Sequence, residues 1–154
     1  VGTTDKADRS IEAGADHVIV YTDSDFQEGI ESIAGPKALD VVYDGVGAAT
    51  FMKSLELLRP RGLMVSFGNA SGPAPEIPPL ILAQKGSLFL TRPTMAHYLQ
   101  TREELLSRCV DLFTWIRDGE LRVHIDAEFS LADATEAHRA LEGRRTTGKI
   151  LIRP

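Results

Sequence analysis

Short apolar runs at residues 17–20, 39–43 and 63–67 alternate with stretches whose apolar residues recur at helical spacing. This alternation constrains the chain more than any other feature. Strands separated by helices in this way pair in parallel, with the helices packed on the faces of the sheet. The punctuation agrees. Thr4 can cap a helix that runs to about Ala13, with Gly14 in the position just past its end. Ser24 can cap a second helix carrying Phe26, Ile30 and Ile33, which Gly35-Pro36 stops. A third helix is predicted over 48–58, with Phe51, Leu55 and Leu58 on one face, and Pro60-Arg61-Gly62 turns the chain into the strand at 63–67. The expected fold class is therefore α/β, a doubly wound parallel sheet.

Beyond residue 67 the texture changes. Residues 68–79, rich in glycine and proline, read as a loop, followed by a short helix at 79–85 and a strand at 87–91. A long helix is predicted from Thr101 to about Asp118, with Leu105, Cys109, Leu112, Phe113 and Ile116 spaced for burial and Gly119 at its end. A strand at 121–125 follows. Ser130 to Asp133 resembles a capping box, with a helix to about Glu142 and a last strand at 149–152.

Composition narrows the functional classes. With 154 residues, 43% apolar and 25% charged, the chain suits one soluble domain. No apolar run approaches the ~18 residues that span a membrane. A net charge of −5 disfavours a nucleic-acid groove. The single cysteine, Cys109, allows no internal disulfide and no zinc site built from cysteine pairs. No signal peptide is read, and a reducing cytoplasm is the expected compartment. The chain opens on Val1-Gly2-Thr3-Thr4-Asp5-Lys6, and Val1 reads as the end of a strand. A piece of a longer protein is expected.

Residues 40–51, DVVYDGVGAATF, pose the sharpest question. Strand, glycine turn and helix follow one another as in a dinucleotide-binding fingerprint, but Thr50 stands at the third glycine position. A pyrophosphate loop follows the first strand of its sheet and has a ribose-reading residue about 20 positions later. This turn follows a later strand, and no acidic residue stands at the tip downstream. The reading is a cofactor contact other than the pyrophosphate loop, or a tight turn with no ligand.

The strand ends as a set carry more. Gly2-Thr3-Thr4, Tyr21, Asp44-Gly45-Val46 and Phe67-Gly68-Asn69 fall on one edge of a parallel sheet, where open sheets bind ligands. At the first tip, hydroxyls, the N-terminus of a helix and Lys6 suit a phosphate, and Asp5 is a mild counter-signal. This pattern favours NADP(H) over NAD(H).

The segments VGTTDKA, VVYDGVGAATFMKSLELLRPRGLMVSFGNASGP, QKGSLFLTRPT, TREELLSR and AHRALEGRRTTGKILIRP, in that order, closely resemble the NADPH-dependent quinone oxidoreductases. These form the zinc-free, zeta-crystallin-like branch of the medium-chain dehydrogenase/reductases. The resemblance implies the C-terminal half of a two-domain enzyme. Residues 1–92 would be a partial Rossmann-like domain lacking its first strand and glycine-rich loop. Residues 93–154 would complete it and pack toward a GroES-like catalytic domain. It implies hydride transfer from NADPH to a quinone or α,β-unsaturated carbonyl, with the 154 residues inactive alone. Carried over by position, Gly2, Thr3, Thr4 and Lys6 surround the 2′-phosphate and ribose, and Tyr21 is an adenine-side aromatic. Val46 packs the cofactor, and Gly45 stands where serine is frequent. Phe67, Gly68, Asn69 and Ala70 lie beside the nicotinamide half, with Thr91, Arg92 and Pro93 near the cleft. Arg144 reaches the cofactor from the C-terminal segment.

Plainer roles remain open for each. Pro93 can simply end a strand and Tyr21 cover one, Lys6 can be a solvated helix lysine, and Arg92 and Arg144 can form surface ion pairs. The four histidines, His17, His97, His124 and His138, are scattered, so no catalytic residue and no metal ligand is assigned. Two other functions stay open: an enoyl-reductase-like enzyme of the same superfamily, or a non-catalytic dimerising Rossmann-like module. A homodimer is expected through the strand at 87–91. Its Leu88-Phe89-Leu90 run carries no residue that blocks edge pairing, and the resemblance implies the same.

Overall fold

A computed structural model describes residues 1–143 and 146–154. It contains two compact units, Val1–Gln100 and Thr101–Pro154. The first holds a three-stranded parallel sheet of order β1-β2-β3, formed by Leu39–Asp44, Leu58–Ser66 and Phe89–Thr91. The predicted parallel α/β architecture is what the chain adopts.

Helix α1, Thr4–Glu12, has Thr3 rather than Thr4 at its cap position, and Gly14 follows its end with φ +99°. Helix α2, Phe26–Ala34, is capped by Asp25, not Ser24. The Asp25 carboxylate accepts from Gln27 N–H at 2.8 Å. One residue decides which side chain reaches the second N–H of the turn.

Residues 17–20 do not form a strand. They are extended beside Val1, which donates to Ile19 O at 2.7 Å and accepts from Tyr21 N–H at 3.0 Å. Two bonds around one residue make too short a ladder for a strand. Gly29 of α2 lies against this segment, where a Cβ would stand 2.8 Å from Ile19 Cδ1.

The core of this unit sits where α3, Phe51–Leu57, covers β2. Phe51, Leu55, Leu58 and Met64 are almost wholly removed from water, with Leu88 beside them. Full burial of each such side chain is worth about 1.5–3 kcal/mol. The 60–62 turn proves to lie inside β2 as a bulge. Pairing passes from Leu39–Leu58 to Val41–Leu63, and Arg61, at φ +64°, donates its N–H to Gly86 O. A short helix, α4 (Leu80–Gln84), precedes β3, and the one-turn helix α5 (Met95–Tyr98), unforeseen in the sequence, follows it.

In the second unit α6, Arg102–Arg117, opens on a complete capping box between Thr101 and Glu104 and ends at Gly119, φ +79°. Most of the face expected to be buried is not: Leu105, Leu112, Phe113 and Ile116 are exposed, and Cys109 is half-buried. The strand expected at 121–125 lies further on as β4, Ile125–Ser130, which pairs in parallel with β5, Lys149–Arg153. Ser130 donates to the Asp133 carboxylate at 2.6 Å instead of capping backbone, so Leu131–Asp133 forms a 3₁₀ turn before α7, Ala134–Glu142. Helix α7 packs on β4 and β5 and buries Ala137.

Asp25 also ties α2 to α3 through an ion pair with Lys53, whose ammonium lies 5.8 Å from the Phe26 ring. The hydrogen bond from Lys53 holds the Asp25 carboxyl below its ordinary value. A carboxyl lowered in the folded state stabilises the fold above the ordinary Asp range. That stability is lost as pH falls through the lowered value. Asp25→Asn keeps a capping oxygen and removes the charge. Its melting temperature should therefore fall less than the wild type's on acidification from pH 6 to pH 2, and high salt should shrink the difference. Identical pH profiles for the two proteins contradict this.

Candidate functional site

The carboxyl end of β1 is organised by Asp44, which is 4% exposed. Its Oδ1 accepts from Val46 N–H at 2.8 Å, Gly47 N–H at 3.1 Å and the Thr50 hydroxyl at 2.9 Å. Its backbone carbonyl accepts from Phe67 N–H and Gly68 N–H, so the same residue joins the end of β1 to the end of β2. The donors that follow in the turn are also used: Ala48 N–H by Gly72 O, Ala49 N–H by Ser71 Oγ, and Thr50 N–H by Gly47 O. The turn therefore has no row of N–H groups to offer a phosphate, and a buried carboxylate stands behind it. This is the physical ground for reading 45–47 as something other than a pyrophosphate loop.

Three glycines let the two strand ends meet backbone to backbone. A Cβ on Gly68 would stand 2.2 Å from Gly45 O. One on Gly47, at φ +88°, would stand 2.3 Å from Gly72 O. At Gly45 a Cβ would meet the Phe67 ring at 3.0 Å, so a serine there would have to displace that ring. Phe67 is itself 54% exposed and presents an apolar face at the edge. Ala70 N–H bonds to Gly45 O, and Ser71 closes the loop by giving both its N–H and its hydroxyl to Val46 O.

Arg92, just past β3, is engaged with this loop rather than aimed away from it. Its guanidinium donates to Ser66 O at 2.7 Å and Gly68 O at 3.4 Å. With the Asn69 amide turned to suit its neighbours, Asn69 donates to Gly68 O and accepts from Arg92. Thr91 pairs with Val65 in the sheet, and Pro93 follows Arg92 where the strand has ended.

The second cluster forms at the N-terminus of α1. Thr3 occupies the cap position without using its hydroxyl as a cap, and Thr4 and Lys6 lie in the first turn. Gly2 lies against Tyr21, where a Cβ would meet the phenol oxygen at 3.2 Å, and Gly2 O accepts from the Thr22 hydroxyl. Gly2, Thr3, Thr4, Lys6 and Tyr21 are thus neighbours, and Val46, Phe67, Gly68, Asn69, Ala70 and Arg92 form a second neighbourhood. An apolar cavity of about 580 Å³ lies between them, bordered by Tyr21 on one side and Val46 on the other. Arg144 lies outside the described residues. Among the described residues no group of three or more His, Cys, Asp or Glu side chains could hold a metal ion.

Sequence reasoning put Asp44 at the sheet edge and Thr50 at a glycine position, but gave neither of them, nor Ser71, a role in holding the turn. The signal for the first two was present: an aspartate at the strand end and a hydroxyl six residues later, on either side of the glycine turn. Asp44→Ala strands the buried Gly47 amide, at about 1–3 kcal/mol, and leaves the half-buried Val46 amide without its acceptor at a lower cost. Thr50→Val removes one donor and should cost less. Chemical denaturation that ranks Thr50→Val as the more damaging change contradicts the assignment.

The family model for zinc-binding dehydrogenases matches residues 13–152. The chain is 46% identical to a quinone oxidoreductase of Salmonella typhimurium, over all of this chain and 48% of that protein. It is 40% identical to a 2-haloacrylate reductase of a Burkholderia species, over all of this chain and 46% of that one. Among solved structures it matches Escherichia coli quinone oxidoreductase complexed with NADPH, with a TM-score of 0.94 and 45% identity, over all of this chain and 48% of that one. The chain thus spans about half the length of the curated relatives it matches. It belongs to the zinc-binding dehydrogenase family.

Proposed function

We propose that the whole protein is a quinone or enone reductase that uses NADPH, with these 154 residues supplying part of its cofactor domain. One observation carries the cofactor assignment. Gly2-Thr3-Thr4 stands at the N-terminus of α1, with Asp5 and Lys6 in the first turn and Tyr21 beside Gly2. Helix N–H groups, hydroxyls and an ammonium suit a 2′-phosphate, with Asp5 in the same turn as the counter-signal. The NADPH in the E. coli structure supports this reading.

The bound nicotinamide would supply the hydride, and a proton from solvent would complete reduction of the acceptor. This chain's part is to orient and to exclude water. Val46 and the Phe67 ring offer apolar contact, the Gly45–Gly68 approach keeps the edge flat, and Arg92 with Asn69 holds the 66–69 carbonyls in place. The likeness to a 2-haloacrylate reductase supports an α,β-unsaturated acceptor beside the quinone. The 154 residues alone are inactive on this account, since the phosphate-binding loop is not provided by 45–50.

The test of the cofactor assignment is Lys6→Ala in the whole protein. Binding of NADPH should weaken by roughly 1–3 kcal/mol, the range for a hydrogen bond to a charged group, with NADH nearly unaffected. Equal losses for both cofactors would refute it.

The compartment we propose is a reducing cytoplasm, and the assembly a homodimer through residues 87–91. Strand β3 is the terminal strand of its sheet, with Phe89 61% exposed on it. A second copy can continue the sheet about a two-fold axis. Phe89→Lys should give folded monomers by light scattering. Monomers of the unmodified protein well above micromolar concentration would rule the dimer out.

A further inference from the structure

Arg92 is a cation that no anion in this chain answers. The sequence allows it a surface ion pair, but none of the ion pairs among the described residues includes it. Its partners are neutral. Nη1 donates to Ser66 O at 2.7 Å and to Gly68 O at 3.4 Å, and Nη2 donates to the Asn69 amide oxygen. These bonds occupy at most three of its five N–H groups. Nε–H and one Nη2–H have no partner among the described residues. Pro93 behind it restricts the backbone of Arg92 and so the point at which the side chain leaves β3. The guanidinium is thus held in one place with its charge unneutralised.

The surroundings restrict what can pair with it. The two carbonyls that hold Nη1 belong to the residues on either side of Phe67, whose ring is half exposed. An apolar ring and a fixed planar cation therefore occupy one stretch of the edge. The unused N–H groups lie in the guanidinium plane, where the two oxygens of a carboxylate can accept from both. A phosphate calls for further donors, and the amides of Val46, Gly47, Ala48, Ala49 and Thr50 across the edge are bonded already. A neutral quinone makes use of the ring and leaves the cation unpaired.

We propose that Arg92 selects the acceptor, and that the acceptor is a flat, conjugated carbonyl compound carrying a carboxylate. This rests on the reductase reading above and deepens it by fixing the charge of the substrate. The carboxylate pairs with Nε and Nη2 of Arg92 while the conjugated system lies against Phe67. In an enone of this class the carbon β to the ketone takes the hydride that NADPH supplies. The π electrons move onto the carbonyl oxygen, and a solvent proton ends on the α carbon, which gives the saturated keto acid and NADP⁺. The carboxylate keeps its charge throughout, so Arg92 acts on binding and orientation rather than on bond making.

Initial rates of the whole protein with saturating NADPH test this on three acceptors: trans-3-acetylacrylate, its uncharged methyl ester and 1,4-benzoquinone. In the unmodified protein kcat/KM for the acid should fall at least threefold from low to high salt, with the ester and the quinone responding less. Arg92→Gln keeps an amide donor and loses the charge. It should lower the acid-to-ester ratio of kcat/KM at least tenfold, through KM for the acid. Arg92→Lys, which keeps a point charge without the planar fork, should fall between the two. A role confined to holding the 66–69 loop would move acid, ester and quinone together. If Arg92→Gln does not fold, the salt dependence of the unmodified protein decides. Equal losses on acid and ester, or an acid rate indifferent to salt, overturn this inference and leave the reductase reading standing. A protein that reduces none of the three acceptors overturns both.

Discussion

The carboxylate of Asp44 is the constraint on which the strand-end edge depends. A buried charge is tolerated only when hydrogen bonds replace the water it has lost. Here Oδ1 takes two amides of the following turn and the Thr50 hydroxyl, while the backbone carbonyl takes two amides from the end of β2. One residue thus sets the direction in which the chain leaves β1, the start of α3 and the distance between two strand tips. The Gly45–Gly68 contact follows from that distance, because at 2.2 Å no side chain fits between the backbones.

The same network explains an edge that is smooth and poor in phosphate donors. Amides committed to Asp44, Gly72 and Ser71 cannot also bind an anion. What remains at the surface is the Val46 side chain, the Phe67 ring and a loop whose carbonyls Arg92 holds. Positive charge and helix N–H groups occur instead at α1. On the proposed reading, one cluster would take a phosphate and the other a flat, weakly polar ring system.

Much of this was legible in the sequence. The alternation of apolar runs with helical patterns identified the parallel sheet, and the glycine positions marked the helix ends at Gly14, Gly35 and Gly119. The misses have local causes. Ser24 lost the cap to Asp25 because the two differ by one position, and both residue types cap well. The 60–62 turn became a bulge because Gly86 supplies a partner for Arg61 N–H, a contact remote in sequence. The 121–125 strand was placed too early. An apolar pattern states that a strand exists more surely than where pairing begins. The face of α6 looked buried on spacing alone, and spacing cannot say what stands opposite it. At the site, Asp44 was read as a strand end and Thr50 as a departure from a fingerprint, and neither as a partner of the turn's amides. Thr50 looked like a defect in a fingerprint; its hydroxyl in fact completes the turn.

The central claim is that the 45–47 turn is closed on itself by Asp44 and meets a dinucleotide through side chains, leaving phosphate recognition to other segments. Amide-resolved NMR of the isotope-labelled whole protein during titration with NADPH tests it directly. The account predicts shifts at residues 2–6 and 67–70 and at the Val46 methyls, with the Val46 and Gly47 amides keeping their hydrogen bonds to Asp44. Large downfield shifts of those two amides, with loss of their bonds to Asp44 as phosphate binds, would contradict it.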